Sequence, residues 1–186
     1  MSTSATNPTK VITGKCRLSY AHIWAPSKMD EDSPAKYSAC IVIPKTDTKT
    51  LQKIQKAVEA ATADGIKSKW KGKKPAKLKL PLRDGDEERP DDEAFRGCYF
   101  LNANSSRRPG VVDLARNLIM DQDEVYSGCY CRFAINFYAF STKGNNGVAV
   151  GLNNVQKVAD GERLAGGSNA EDDFDDDYTG DLDDLL

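Results

Sequence analysis

The chain has a single histidine, His22. Any histidine-dependent nucleophile or general base would have to use it, yet it lies in a polar stretch beside no obvious nucleophile. No glycine-rich phosphate loop precedes a helical pattern. Asp121, Asp123 and Glu124 lack the alternating oxygen ligands of a calcium loop and read as an acidic turn. These gaps argue against an enzyme. No apolar run approaches the ~18–20 residues that span a bilayer. The opening MSTSATNPTK holds no apolar signal core, so export is not expected. Cysteine is scarce and odd in number: Cys16, Cys40, Cys98, Cys129 and Cys131. Without a secretion signal this points to reduced thiols in a cytoplasm. Cys129 and Cys131 are separated by one residue and the rest are scattered in apolar stretches, which suits core packing better than zinc ligation. The sequence calls for no metal and no cofactor.

Positive charge is plentiful but hidden. The 186 residues carry 26 Lys and Arg against 28 Asp and Glu, a net charge of −2. Residues 171–186, EDDFDDDYTGDLDDLL, hold nine of those acids and no Lys or Arg. Removing the nine leaves 19 acids against 26 cations, a body of charge +7. A basic body with an acidic tail points to nucleic-acid binding or an interaction role.

Periodicity predicts a mainly β body. Residues 10–20 alternate, with Ile12, Cys16 and Leu18 on one side and Lys15 and Arg17 on the other. Residues 21–36, with two prolines, read as a loop, and 37–44 as a second strand. Thr46 or Asp47 then caps a helix with Leu51, Ile54, Val58 and Ala61 on its apolar face, and Gly65 is a plausible stop. Lys49, Lys53 and Lys56 fall on its solvent side. Residues 71–94 lack core periodicity and read as an extended, mobile, charged insertion. Strands follow at 96–103, 111–114, 128–141 and 148–158, the last two joined by a hairpin turn at 142–147. The expected fold is an OB-like five-stranded barrel with a helix inserted after the second strand, although periodicity alone does not separate it from a sandwich. The expected organisation is a disordered 1–9, a domain at 10–164 and a flexible linker with a disordered acidic tail at 165–186.

The strand at 128–141 has two faces. Cys129, Cys131, Phe133, Ile135, Phe137 and Ala139 form one, which reads as core. Tyr130, Arg132, Asn136, Tyr138 and Phe140 form the other. That second face is either a base-stacking platform or an outer barrel surface covered by another element. Lys15, Arg17, His22, Trp24, Arg107 and Arg108 add cations interleaved with rings, which is what a single strand needs: charge for its backbone and planar faces for its bases. Seven lysines between Lys67 and Lys79, Lys73 and Lys74 among them, surround Trp70. They form an electrostatic arm or a solvated loop, and Trp70 either joins the arm or anchors the helix end.

Six segments, in order, resemble the phage single-stranded DNA-binding proteins related to the T7-type protein: CRLSYAHIWAP (16–26), KYSACIVIPK (36–45), KLPLRDGDEE (79–88), GCYFLNANSSRRPGVVD (97–113), VYSGCYCRF (125–133) and GVAVGLNNVQKVADGERL (147–164). The resemblance spans nearly the whole body and implies an OB-fold that coats single strands without sequence preference during phage replication and recombination, in the host cytoplasm. Alternatives from the residues alone are a protein-interaction adaptor and an RNA-binding module. The candidate DNA contacts are Lys15, Arg17, Tyr20, Trp24, Lys36, Trp70, Lys73, Lys74, Tyr99, Arg107, Arg108, Tyr130, Arg132 and Tyr138. The resemblance assigns the tail a double task, competing with DNA and holding phage replication proteins, through Asp172, Asp173, Phe174, Asp175, Asp176, Asp177, Asp181, Asp183, Asp184, Leu185 and Leu186. It also implies single-stranded DNA as partner, duplex DNA when the tail is displaced, and compatibility with a homodimer. One departure is the ending: T7-type tails finish in an aromatic residue, whereas here Leu185 and Leu186 close the chain.

Overall fold

The structure, a computed structural model, describes residues 7–28, 30–142 and 144–164. The expectations placed on 1–6 and on the tail lie outside the described residues. Among them eight strands, one long helix and one short helix follow in the order β1 (Lys10–Ile12), β2 (Cys16–Ser27), β3 (Lys36–Pro44), α1 (Thr48–Ser68), β4 (Arg83–Asp84), α2 (Gly85–Glu88), β5 (Cys98–Ser105), β6 (Gly110–Val112), β7 (Tyr130–Thr142) and β8 (Asn145–Ala159). Neighbours β7, β2, β3, β5 and β8 are hydrogen-bonded in that order, and the β7–β8 ladder closes the circle. The result is the OB-like five-stranded barrel. Closure leaves these five strands without a long open edge. β1 extends β7, β6 runs parallel to β8, and β4 pairs with β5.

The alternation of β7 fills the interior: Cys131, Phe133, Ile135 and Phe137 are buried and meet Leu18, Ile41, Leu101 and Leu152 from the other barrel strands. α1 seals one side of the barrel. Asp47 caps it by accepting from the Thr50 amide at 3.2 Å and the Thr50 hydroxyl at 2.7 Å. Ile54, Ala57 and Ala61 face the core, with Leu51 and Val58 half-buried beside them. Gly65 does not end the helix. It lies inside α1 because the helix touches the sheet there: a Cβ at Gly65 would sit 2.5 Å from Ala139 Cβ and 2.7 Å from the Trp70 ring.

Three further expectations change. β2 runs on to Ser27 through the segment expected as a loop. Its register with β3 shifts between Ser19 and His22, where Tyr20 adopts φ 45°, so Leu18 and Ile23 both reach the core despite odd spacing. Ile12 is 38% exposed and Val11 takes the core position, because β1 is separate from β2 and its alternation restarts. β6 stops at Val112, leaving Leu114 exposed.

Residues 71–94, expected as extended, carry β4 and α2. The Lys79 amide donates to Asn146 O at 2.9 Å, and Lys79 O accepts from the Val148 amide at 3.0 Å. Lys45 Nζ meets Asp84 at 2.9 Å and Asp86 at 2.8 Å, which holds both carboxyls below their usual range and the ammonium above its own. That clamp holds while the carboxylates stay ionised and is lost as acid protonates them. Single anchors and ion pairs of this kind leave no periodic trace in a sequence.

Among the five thiols, Cys16, Cys40, Cys129 and Cys131 are buried and Cys98 is partly exposed. Burial pushes Cys16 and Cys40 up to about 12. The sulfurs of Cys129 and Cys131 lie 3.6 Å apart, and their contact together with burial pushes the Cys131 thiol up. A chromogenic disulfide reagent at neutral pH should therefore release signal from one thiol, Cys98, in the native protein and from five in denaturant.

Candidate nucleic-acid interface

β3 and β5 run antiparallel, with Ser38 opposite Asn104 and Cys40 opposite Asn102. Ala39, Ile41, Leu101 and Ala103 point into the barrel, so the alternate residues point out. Lys36, Ser38, Asn102 and Asn104 line a groove of about 420 Å³ on this outer face. β2 contributes Tyr20 and His22, and the connection from β2 to β3 contributes Ser33 and Pro34. Among the described residues no carboxylate lines this groove. Amides and hydroxyls there can donate to and accept from base edges, Lys36 can meet a phosphate, and Tyr20, 49% exposed, offers a ring.

One end of the same outer face is apolar. Cys40, Val42, Phe95 and Phe100 form a second buried cluster, with Phe95 and Phe100 edge to face at 5.0 Å. Arg83 lies 5.3 Å from the Phe100 centroid and is held by Glu88, with Nε at 2.9 Å from both carboxylate oxygens. Arg89 lies over Phe95 at 5.7 Å, Phe100 at 5.9 Å and Tyr20 at 6.0 Å. It forms no ion pair among the described residues. The charged insertion thus carries a cation to the edge of the groove and against its exposed ring.

The expected contacts divide into several places. Tyr20 and Lys36 line the groove. Arg107 and Arg108 are exposed on the loop that leaves β5 just past Asn104, and the Arg107 amide donates to Ser105 Oγ at 3.0 Å. Arg108 covers Trp24 at 5.4 Å, while Trp24 Nε1 donates to Val125 O at 3.0 Å. Lys15 and Arg17 lie over Tyr130 at 5.4 and 5.7 Å. Arg17 also donates to Gly128 O and Glu162 O, so Tyr130 is a half-covered ring under two cations rather than an open platform. Arg132 donates to Thr13 O at 3.1 Å. Tyr138 is 42% exposed on β7 but does not line the groove. Lys73 and Lys74 are exposed, and Lys74 and Tyr99 border a second hollow beside α1.

Trp70 requires correction. It is 7% exposed, packed against Gly65, and its Nε1 donates to Phe140 O at 3.2 Å. The ring anchors the end of α1 and has no free face for a base. Trp70→Ala should therefore lower stability by about 3–5 kcal/mol in denaturant unfolding.

Sequence reasoning missed Ser38, Asn102, Asn104 and Arg89. For Asn102 and Asn104 a signal existed, since they alternate with Leu101 and Ala103 on one strand. Arg89 had none, being one cation inside an acidic run.

Comparison with known proteins bears on the family and the fold. Residues 9–186 match the family model described as Enterobacter phage Enc34, ssDNA-binding protein. Protein p50 of Acyrthosiphon pisum secondary endosymbiont phage 1 is 30% identical over 178 residues, covering 90% of this chain and 93% of that protein. The fold is similar to that of the single-stranded DNA-binding protein from bacteriophage Enc34 solved in complex with ssDNA, with TM-score 0.76, 24% identity and coverage of 86% of this chain and 91% of the other. It is also similar to gp2.5, a single-stranded DNA-binding protein encoded by bacteriophage T7, with TM-score 0.61, 17% identity and coverage of 92% and 96%.

Proposed function

The chain belongs to the family of the Enterobacter phage Enc34 single-stranded DNA-binding protein, and from that premise we propose that it coats and protects single-stranded DNA without sequence preference during phage replication and recombination. It acts by binding rather than by turnover. The observation that carries the reading is the groove on the outer face of β3 and β5, the face on which OB-folds take oligonucleotides. There a ring, two amides and a lysine meet with no carboxylate lining the site among the described residues. Tyr20 stacks on a base, Asn102 and Asn104 meet base edges or sugar, and Lys36, Arg89, Arg107 and Arg108 follow the backbone. Lys15, Arg17 and Arg132 form a separate cationic patch that lengthens the track.

The body of the protein is 10–164, and 165–186 is a linker and acidic tail. In the absence of DNA the tail lies over the basic face as a phosphate mimic. DNA displaces it and frees it for replication proteins. The test of the binding reading is fluorescence anisotropy of labelled oligo-dT over a salt series. Affinity should fall with salt, with a slope of about −0.7 per phosphate contacted on a logarithmic plot. A flat salt dependence would sink the phosphate-contact model, and preference for oligo-U over oligo-dT would move the protein to the RNA-binding reading.

A further inference from the structure

Two apolar features of the surface have no partner among the described residues. The first is a knob. After β6 the chain forms a tight turn in which Leu114, Leu118 and Met120 are 62%, 71% and 75% exposed. The turn is firmly built. Ile119 is buried and its amide donates to Val111 O at 2.9 Å, the Asp113 amide donates to Asn117 O at 2.9 Å, and the Asn117 amide donates to Asp113 Oδ1 at 2.9 Å. Three large apolar side chains held outward by a rigid turn mark an interaction site.

The second feature is a hollow of about 1000 Å³ between α1 and residues 74–82, walled by Leu51, Val58, Ile66, Leu78, Leu80 and Leu82. Its volume is at the upper end for a small-molecule pocket and suits a loop bearing several side chains. Among the described residues the knob stays exposed and does not fill this hollow in cis.

Charge matches the two. Residues 113–124 contain Asp113, Asp121, Asp123 and Glu124 against Arg116 alone. The hollow is bordered by the lysine-rich stretch 67–79, which has seven lysines and no acid; Lys74 of that stretch lines it, and Glu59 of α1 is its one acidic lining residue among the described residues. Acidic flanks around an apolar knob complement a basic rim around an apolar groove.

We propose that the α1 groove receives the 114–120 knob of a second copy of this chain. The contact is heterologous: each copy offers one knob and one groove, and unless the arrangement closes into a ring, copies extend head to tail. On a single strand, if the proposed function holds, the same contact would link neighbouring copies. Its test needs no DNA, so its failure is separable from failure of the binding reading.

The experiment is sedimentation of the full chain over a concentration range, with circular dichroism to confirm folding. The native chain should gain mass with concentration. L118D/M120D removes the knob and L80D spoils the groove at a 57% exposed residue, and each should weaken association by at least about tenfold. Mixed in equal amounts, the two variants retain one good knob and one good groove between them, so they should form a two-chain species and nothing larger. The charge reversals K73E/K74E and D123K/E124K, on exposed side chains, repeat the scheme: each alone weakens association and the mixture restores it. A native chain that stays monomeric throughout would overturn the proposal. So would association that survives L118D/M120D and L80D, or a mixture that does not associate. Association lost on L185D/L186D but kept in L118D/M120D would give the groove to the chain's own tail and equally overturn it.

Discussion

Replacing Tyr20 with glycine is expected to lower affinity for oligo-dT by about 1–3 kcal/mol, a factor of about five to 150, while leaving the fold as stable as before to within about 1 kcal/mol. The two halves of that expectation come from the same residue. Tyr20 sits at the β2 bulge with φ 45°, in the left-handed region where a bulky side chain is an outlier. Strain of this kind costs of the order of 1–3 kcal/mol and persists where function requires it. Here it turns a ring outward into the β3–β5 groove, 49% exposed and beneath Arg89 at 6.0 Å. Glycine relieves the strain, offsets that relief with extra freedom in the unfolded chain, and removes the stacking face. Tyr20→Phe keeps the ring and should keep most of the affinity. Anisotropy and thermal unfolding on the same samples separate the outcomes. Unchanged affinity in the glycine variant would place the base elsewhere, on Tyr138 or under the Arg108–Trp24 stack.

Why the barrel was legible in the sequence and the groove only in part follows from which residues carry each. β7 and β8 are long, β7 alternates cleanly, and Asp47 is a strong cap, so the β-rich body with one helix could be read directly. Tyr130 and Tyr138 drew attention for the same reason: a clean alternation makes a second face visible. The groove lies partly on β3, which does not alternate. Along β3, Ala39 to Ile43 are all buried, because Cys40 and Val42 on the outward side are covered by Phe95 and Phe100. A strand apolar on both sides reads as interior, and nothing in the charged run before Phe95 announces that it folds back over the barrel. Trp70 failed in the opposite direction. Lysines crowd it in sequence, but the gap at Gly65 that receives its ring exists only once α1 meets Ala139.

Shortening the chain to residues 1–169 is expected to raise its affinity for DNA about tenfold at low salt, and by more for a duplex than for a single strand. The charge argument sets the direction, since the cut takes the protein from −2 to +7 by removing nine acids and no cation. A tail tethered close to its own body meets it at an effective concentration of order millimolar. If the tail's contact with the basic face has a dissociation constant of about 0.1 mM, DNA must compete with a site about ten times saturated, which gives the tenfold figure. Single-stranded DNA partly escapes this penalty because stacking on Tyr20 is not opposed by charge. A duplex hides its base faces and offers phosphates at one per about 1.7 Å of axis, so nearly all of its affinity is of the kind the tail screens. Raising the salt shortens the reach of both interactions, to about 8 Å at 0.15 M, and the advantage of the shortened chain should shrink with it. Anisotropy with matched single-stranded and duplex probes, for both chain lengths at several salt concentrations, reads all of this at once. Equal affinities for the two chain lengths at low salt would remove the tail from the DNA site and leave only the proposed contact with partners to test.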